Sequence, residues 1–194
     1  MDASAWDERY AAADLVWSAE PNRFVAEALT DLPPGRALDL AAGEGRNAIW
    51  LARRGWDVTA ADFSRVALDK GRRLAGETAL RWVCADVTTW DEQASYDLVV
   101  MAYLQVPAAD RRATVRAAFA ALRPGGTLLV VAHDSLNLTG GTGGPQDPGV
   151  LYTAEDVLAD LAGNDLDVER AERVARPVGD ATAYDCLVVL NRSS

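Results

Sequence analysis

Between residues 38 and 64 the chain reads LDLAAGEGRNAIWLARRGWDVTAADFS. Gly43-Glu44-Gly45-Arg46-Asn47-Ala48 satisfies the G-x-G-x-x-A pattern of a dinucleotide-binding turn. In such a turn glycines let the backbone approach a cofactor, and the following helix offers its N-terminus to phosphate. Asp39 lies in the apolar run just before the turn. A carboxylate there repels a pyrophosphate and suits positive groups, such as the sulfonium and ammonium of S-adenosylmethionine. Asp62 follows the next apolar run and can accept hydrogen bonds from ribose hydroxyls in either kind of cofactor. Asp86 follows the third, where an adenine edge should fall. Its carboxylate can accept from the exocyclic amine, and the next backbone N–H, that of Val87, can serve a ring nitrogen.

A second group of residues surrounds two later apolar runs. Tyr103, Leu104 and Gln105 follow "YDLVVM", and His133-Asp134 follows "GTLLVVA". His133 is the only histidine in the chain, and histidine is the side chain that ordinarily titrates near neutral pH. It is a candidate general base or substrate hydrogen-bond partner, with Asp134 or Tyr103 orienting it. The stretch 134–150 is rich in Gly and Pro and long for a plain connection, which suggests a lid carrying Gln146 and Asp147. Arg176 ends a further strand and is placed to hold an anionic group.

These residues need a scaffold that gathers strand ends. Short strands are expected at 36–41, 56–61, 80–85, 96–101 and 127–133, alternating with helices at 45–54, 64–76 and 108–122. Ser64 is a helix cap, and Gly55 and Pro124-Gly125-Gly126 are helix stops. Strand–helix alternation implies right-handed crossovers and a doubly wound parallel α/β sheet. After residue 150 the pattern changes. A helix at about 153–162 opens with Thr153 and Asp156 in an approximate capping box, and strands at 165–175 and 183–191 can pair antiparallel. The opening segment, 1–31, reads as amphipathic helix, and Pro33-Pro34-Gly35 breaks it.

The totals narrow the function classes. The 194 residues suit one domain with a sizeable core, and 49% apolar with 25% charged residues is globular composition. A net charge of −10 disfavours nucleic acid and anionic membrane surfaces. No basic-then-apolar leader and no membrane-length apolar run is present, so a cytoplasmic location is expected. Cys84 and Cys186 lie far apart in strand-like runs, where two small buried residues are expected and neither a disulfide framework nor a zinc site is.

"LDLAAGEGRN", "VTAADFS", "CADVTTW", "YDLVVMAYLQ" and "LRPGGTLLVV" occur in an order and spacing that resembles the class I S-adenosylmethionine-dependent methyltransferases over residues 36–191. The glycine loop looks most like the small tellurite-resistance and thiopurine-methyltransferase branch. The resemblance implies a seven-stranded Rossmann-like sheet of order 3-2-1-4-5-7-6, strand 7 antiparallel. It implies a methyltransferase domain at 35–194 with an N-terminal cap at 1–34. It places Asp39, Ala41, Gly43, Gly45 and Asn47 around the methionine end of the cofactor, Asp62 on the ribose, Phe63 on the adenine face, Asp86 and Val87 at its edge, and Met101 beside the sulfonium or amino group. Trp6, Tyr10 and Asn22 resemble a lid over the cofactor. The family usually has glycine at 41. Alanine there either fits with negative φ or crowds the methionine tail.

Methyl transfer is an in-line displacement at an activated carbon, so the protein mainly supplies alignment, and a base is needed only for a nucleophile that arrives protonated. "MAYLQVP" after the fourth strand lacks the Asn/Asp-Pro-Pro-Tyr/Phe sequence of nucleic-acid amino-methylating enzymes. With the acidic charge, this favours a small-molecule acceptor. The alternatives are a nicotinamide oxidoreductase, which Asp39 and the terminal hairpin oppose, and a cofactor-binding protein without turnover. Oligomeric state is not readable.

Overall fold

In the computed structural model, which describes residues 3–194, the apolar runs form seven strands: β1 (Arg36–Leu40), β2 (Asp57–Asp62), β3 (Arg81–Cys84), β4 (Tyr96–Ala102), β5 (Leu122–His133), β6 (Leu166–Val178) and β7 (Ala181–Arg192). Residues 1 and 2, which open the segment read as a cap, lie outside the described residues. The strands make one sheet in the order β3-β2-β1-β4-β5-β7-β6. The first five pair in parallel, and β7 runs antiparallel to both β5 and β6. This is the doubly wound sheet with an antiparallel finish that the alternation and the resemblance imply.

Among the described residues six α-helices accompany the sheet: α1 (Ala3–Ala11), α2 (Arg23–Leu29), α3 (Arg46–Arg53), α4 (Arg65–Ala75), α5 (Ala108–Ala121) and α6 (Ala154–Asp160). The Ser64 side chain caps α4 by accepting from Ala67 N at 3.1 Å, and Thr153 with Asp156 closes a full capping box on α6. One expectation fails at the start. The opening segment is two helices rather than one, because Asn22 caps α2 by accepting from Phe24 N and Val25 N, and residues 12–22 run between them without helix. The second cysteine is buried as expected, but Cys84 is exposed: β3 is the edge strand, flanked only by β2.

Alternation along the central strands sorts side chains onto two faces. Leu38 and Leu40, Val99 and Met101, and Leu128 and Val130 enter the core shared with α5 and α6. Ala37, Leu98 and Val100, Leu129 and Val131, and Leu187 and Val189 face the other core, beneath α2 and α3. By the same period of two, Asp39, His133 and Asp185 fall on the α2–α3 face. Met101 does not. Its side chain is fully buried inside β4 on the opposite face and packs in the core.

Candidate active site

The turn between β1 and α3 is built on left-handed backbone. Ala41, Gly43 and Gly45 have φ of +59°, +56° and +77°. A Cβ on Gly43 would lie 2.6 Å from the Tyr10 hydroxyl, and one on Gly45 would run into the Trp82 ring. The negative φ that would have made alanine comfortable at 41 is therefore not what the chain adopts. An L-residue in this conformation costs about 1–2 kcal/mol, partly offset because glycine loosens the unfolded chain by about 0.4–1 kcal/mol. Ala41→Gly is expected to raise stability by about 1 kcal/mol and the unfolding midpoint by about 2–4 °C, with cofactor affinity equal or better. A lowered midpoint in calorimetry would contradict this reading of the loop.

Asp39 is buried beside this turn. Its Oδ2 accepts the Ala48 amide at 3.1 Å, and its Oδ1 has no hydrogen-bond partner among the described residues. Burial pushes the carboxyl up to about 7, against the bond from Ala48 and the pull of Arg46. A buried carboxylate oxygen without a donor is costly unless something cationic meets it. The site therefore fits the ammonium of S-adenosylmethionine and opposes a pyrophosphate. Arg46 opens α3 and lies near Asp39, Tyr103 and Tyr10, its guanidinium pKa lowered chiefly by burial; it donates only weakly, to Ser18 Oγ at 3.4 Å. Sequence reasoning passed over Arg46 as the variable letter of the glycine pattern.

The other cofactor candidates have local duties as well. Asp62 accepts Gly43 N and Ser64 N at 2.8 Å each, tying the ends of β1 and β2 together, and burial raises its pKa against those two bonds. Asp86 is exposed and caps the 3₁₀ turn Val87–Thr89 by accepting from Thr88. The Val87 side chain is buried in the core, while Phe63 is half-buried and its carbonyl accepts from Cys84 Sγ. Asn47 is buried and receives the Asn22 amide at 2.9 Å.

The segment before α2 lies over the glycine turn. Tyr10 is buried, its hydroxyl pKa pushed up to about 12 mainly by burial, and it accepts from Trp17 Nε1 at 3.4 Å. Trp6 stacks at a tilt against Tyr10 with centroids 5.5 Å apart. Glu44, the residue between the two glycines, is buried and accepts the amides of Val16 and Trp17. Lys70 on α4 pairs with Glu44 at 3.5 Å and donates to the carbonyls of Tyr10 and Ala13. Asn22 does not reach over the turn; it caps α2 and donates from Nδ2 to the Tyr103 hydroxyl at 3.3 Å.

The second cluster is a row across adjacent strands. From β1 outward it holds Asp39, Tyr103 just after β4, His133 at the end of β5, Asp185 on β7 and Arg176 on β6. His133 and Asp185 are directly opposed in the antiparallel register. Asp185 is fully buried; its Oδ2 receives the Tyr103 hydroxyl at 3.0 Å and Arg176 Nε at 2.9 Å, and its Oδ1 lies 3.3 Å from His133 Nδ1 in a bent approach. Burial works to raise its pKa, but the neighbouring His133 ring and the bond from Arg176 outweigh it and hold the carboxyl below its usual range. Tyr103 also has positive φ, +59°, and burial with the Asp185 charge pushes its hydroxyl up to about 12. Its ring sits 4.7 Å from the imidazole.

Three expectations are corrected here. Asp134 does not orient His133: it is buried, caps the 3₁₀ turn Ser135–Leu138 and pairs with Arg173 at 2.9 Å. Arg176 is not a free anion holder but the partner of Asp185. Gln105 is a structural clasp, accepting His133 N at 2.7 Å and donating to the Val150 carbonyl. Gln146 is exposed and bonds only to Gly144 within its own loop, and Asp147 caps the turn Pro148–Val150. Gly144 of this loop lies beside His133, since a Cβ there would meet the imidazole at 2.7 Å.

Residues 37–126 match the methyltransferase domain family. A demethylmenaquinone methyltransferase of Clavibacter sepedonicus is 34% identical over 119 residues, 60% of this chain and 47% of that protein, so the chain spans about half that relative's length. Nodulation protein S of Rhizobium tropici is 29% identical over 197 residues, 95% of this chain and 78% of that protein. Among solved structures, the N-methyltransferase NodS from Bradyrhizobium japonicum WM9, in complex with S-adenosyl-L-homocysteine, is similar with a TM-score of 0.78 at 17% identity, covering 99% of this chain and 98% of that one. TehB from Haemophilus influenzae gives 0.75 at 16%, covering 90% and 63%. At such identities the structures speak for the fold, and the sequence matches carry the rest. Over residues 37–126 the chain carries a methyltransferase domain, and its fold is that of S-adenosylmethionine-dependent methyltransferases.

Proposed function

We propose that the protein transfers a methyl group from S-adenosylmethionine to a small-molecule nucleophile. The observation that carries this reading is the buried Asp39 Oδ1 without a donor at the edge of the glycine turn. Asp39 and the Gly43–Gly45 backbone hold the methionine end, with Arg46 facing its carboxylate. Asp62 keeps lone pairs for the ribose, and Phe63, Asp86 and Val87 flank the adenine. Residues 1–34 act as a cap, closed by Tyr10 over Gly43 and latched by Glu44 and Lys70. When bound, the cofactor supplies a methyl carbon on a sulfonium, whose carbon–sulfur electron pair stays with sulfur. The chain's own work is to align the acceptor, exclude water beneath the cap and the 134–150 loop, and take up a proton where the acceptor has one, at His133.

A small acceptor is supported by relatives named for demethylmenaquinone and for ubiquinone biosynthesis. The net charge of −10 argues against a nucleic-acid substrate. No helix of the described residues is long and apolar enough to cross a membrane. Calorimetric titration is expected to show binding of S-adenosylhomocysteine and none of NAD; the reverse result would overturn the reading. Product detection across thiols, phenols, amines and halides separates an enzyme from a cofactor-binding protein without turnover.

A further inference from the structure

Asp185 has an unusual distribution of partners. Tyr103 and Arg176 both donate to Oδ2, while Oδ1 has no regular hydrogen bond among the described residues. His133 Nδ1 is buried and in the same position, and the two atoms face each other at 3.3 Å. Among the described residues neither atom has another partner, so the proton between them belongs on Nδ1. Neighbouring groups fix the rest of the ring's setting: Gln105 Oε1 accepts from the His133 amide, the Tyr103 ring packs against the imidazole, and Gly144 lies so near that a side chain there would meet the ring. The charged and titratable groups around the ring are Asp185 from β7, Tyr103 from the β4 end, and Arg176 from β6 acting through Asp185; the adjacent Asp134 is already paired with Arg173.

We propose that Asp185 is a positioning residue that fixes His133 in the Nδ1–H tautomer, leaving Nε2 as the base for a methyl acceptor that arrives protonated, an amine or a hydroxyl. The acceptor class rests on the methyltransferase reading above; the tautomer does not. In the reaction the acceptor's lone pair forms the bond to the methyl carbon as the carbon–sulfur pair is left on sulfur. The acceptor's proton passes to Nε2, the imidazolium is held by the Asp185 carboxylate, and the proton then leaves to water. The positive charge of the sulfonium thus departs as that proton. A thiolate or halide needs no such device.

The test uses the fact that His133 is the chain's only histidine. In ¹⁵N-labelled protein its two ring nitrogens give unambiguous signals without cofactor or acceptor. The expected result for the neutral ring is the proton on Nδ1; a proton on Nε2, or a free-side-chain mixture, would overturn the proposal. In Asp185→Asn the carbonyl oxygen should stay with Arg176 and Tyr103, turning the amide N–H toward Nδ1 and moving the ring proton to Nε2. By analogy with the buried aspartate of a serine protease, where asparagine yields the wrong tautomer, kcat/KM should fall about 10³–10⁴-fold. S-adenosylhomocysteine affinity should be unchanged. If Asp185→Asn fails to fold, the wild-type spectrum still decides the tautomer. In the acceptor panel, amines or phenols should be methylated with activity lost on the acidic limb of the pH profile, following the His133 titration seen in the same spectra. Turnover confined to thiols or halides would overturn the acceptor class. Failure of the methyltransferase reading shows separately, as no binding of S-adenosylhomocysteine.

Discussion

Asp39→Asn is expected to stabilise the cofactor-free protein at pH 8 while removing most of its affinity for S-adenosylmethionine. Burial raises this carboxyl from 3.8 to about 7. Between those values the folded state keeps a proton that the unfolded state has lost. Folding stability therefore falls as pH rises from about 4 to about 7, by about 1.4 kcal/mol per unit and on the order of 4 kcal/mol in all. Asparagine cannot ionise, and it still offers an oxygen to the Ala48 amide. Its NH₂ takes the place of the partnerless Oδ1 and returns about 1–3 kcal/mol of the gain as an unsatisfied donor. The net effect is a gain of about 1–3 kcal/mol at pH 8 and a loss of about 1–3 kcal/mol at pH 4, read from denaturant unfolding at the two pH values. Affinity should drop about 10²-fold or more, since removing one charge of a buried pair costs about 2–5 kcal/mol. For the unmodified protein the same linkage predicts that cofactor affinity rises with pH up to about 7. Binding at pH 6 should release a proton, measurable by calorimetry in buffers of different ionisation enthalpy. Equal stability and equal affinity in the two proteins would remove Asp39 from the site.

Gly45→Ala carries the largest structural penalty of any single methyl group in the loop. The residue caps α3 with φ of +77°, and its missing side chain is the space filled by the outer ring of Trp82, which also lies against Gly71. The left-handed conformation costs about 1–2 kcal/mol for alanine, and forcing the indole aside costs about 1–3 kcal/mol. A loss of about 3 kcal/mol is expected, or a midpoint lower by about 6–12 °C. Trp82→Leu removes both contacting ring atoms. The double variant should then be more stable than the sum of the single losses by more than about 1 kcal/mol, a coupling that a purely conformational penalty would not produce. Full additivity would mean that the loop's shape, and not the indole, demands glycine.

How much of this was legible depended on whether a residue's role is local or distant in sequence. Sheet order followed from alternation and resemblance, and caps such as Ser64 and Thr153 followed from side-chain chemistry within three residues. The glycine turn with Asp39 and Asp62 was readable because all three lie at the carboxyl ends of neighbouring parallel strands. Asp185 was not, because its link to His133 runs through an antiparallel register fifty-two positions apart. One signal was present: in "YDCLVVL" it is the lone carboxylate of an otherwise apolar run, and such a residue needs a buried partner. Asp134 was misread for the converse reason, since its nearest donor is the backbone two residues on. The face taken by the Met101 side chain follows the strand period of two, which puts it with Val99 and not with Ala102 or Tyr103.

The position of Glu44 has a temporal consequence. The same side chain belongs to the loop that cradles the cofactor and anchors the amides of Val16 and Trp17. In the proposed reading, product leaving that loop would disturb those bonds, and residues 10–17 peeling away would expose a buried carboxylate and its Lys70 partner. On that reading departure and opening are one event, which predicts a turnover set by the microsecond-to-millisecond clock of a detaching segment, with Trp6 and Trp17 as built-in optical reporters of each cycle.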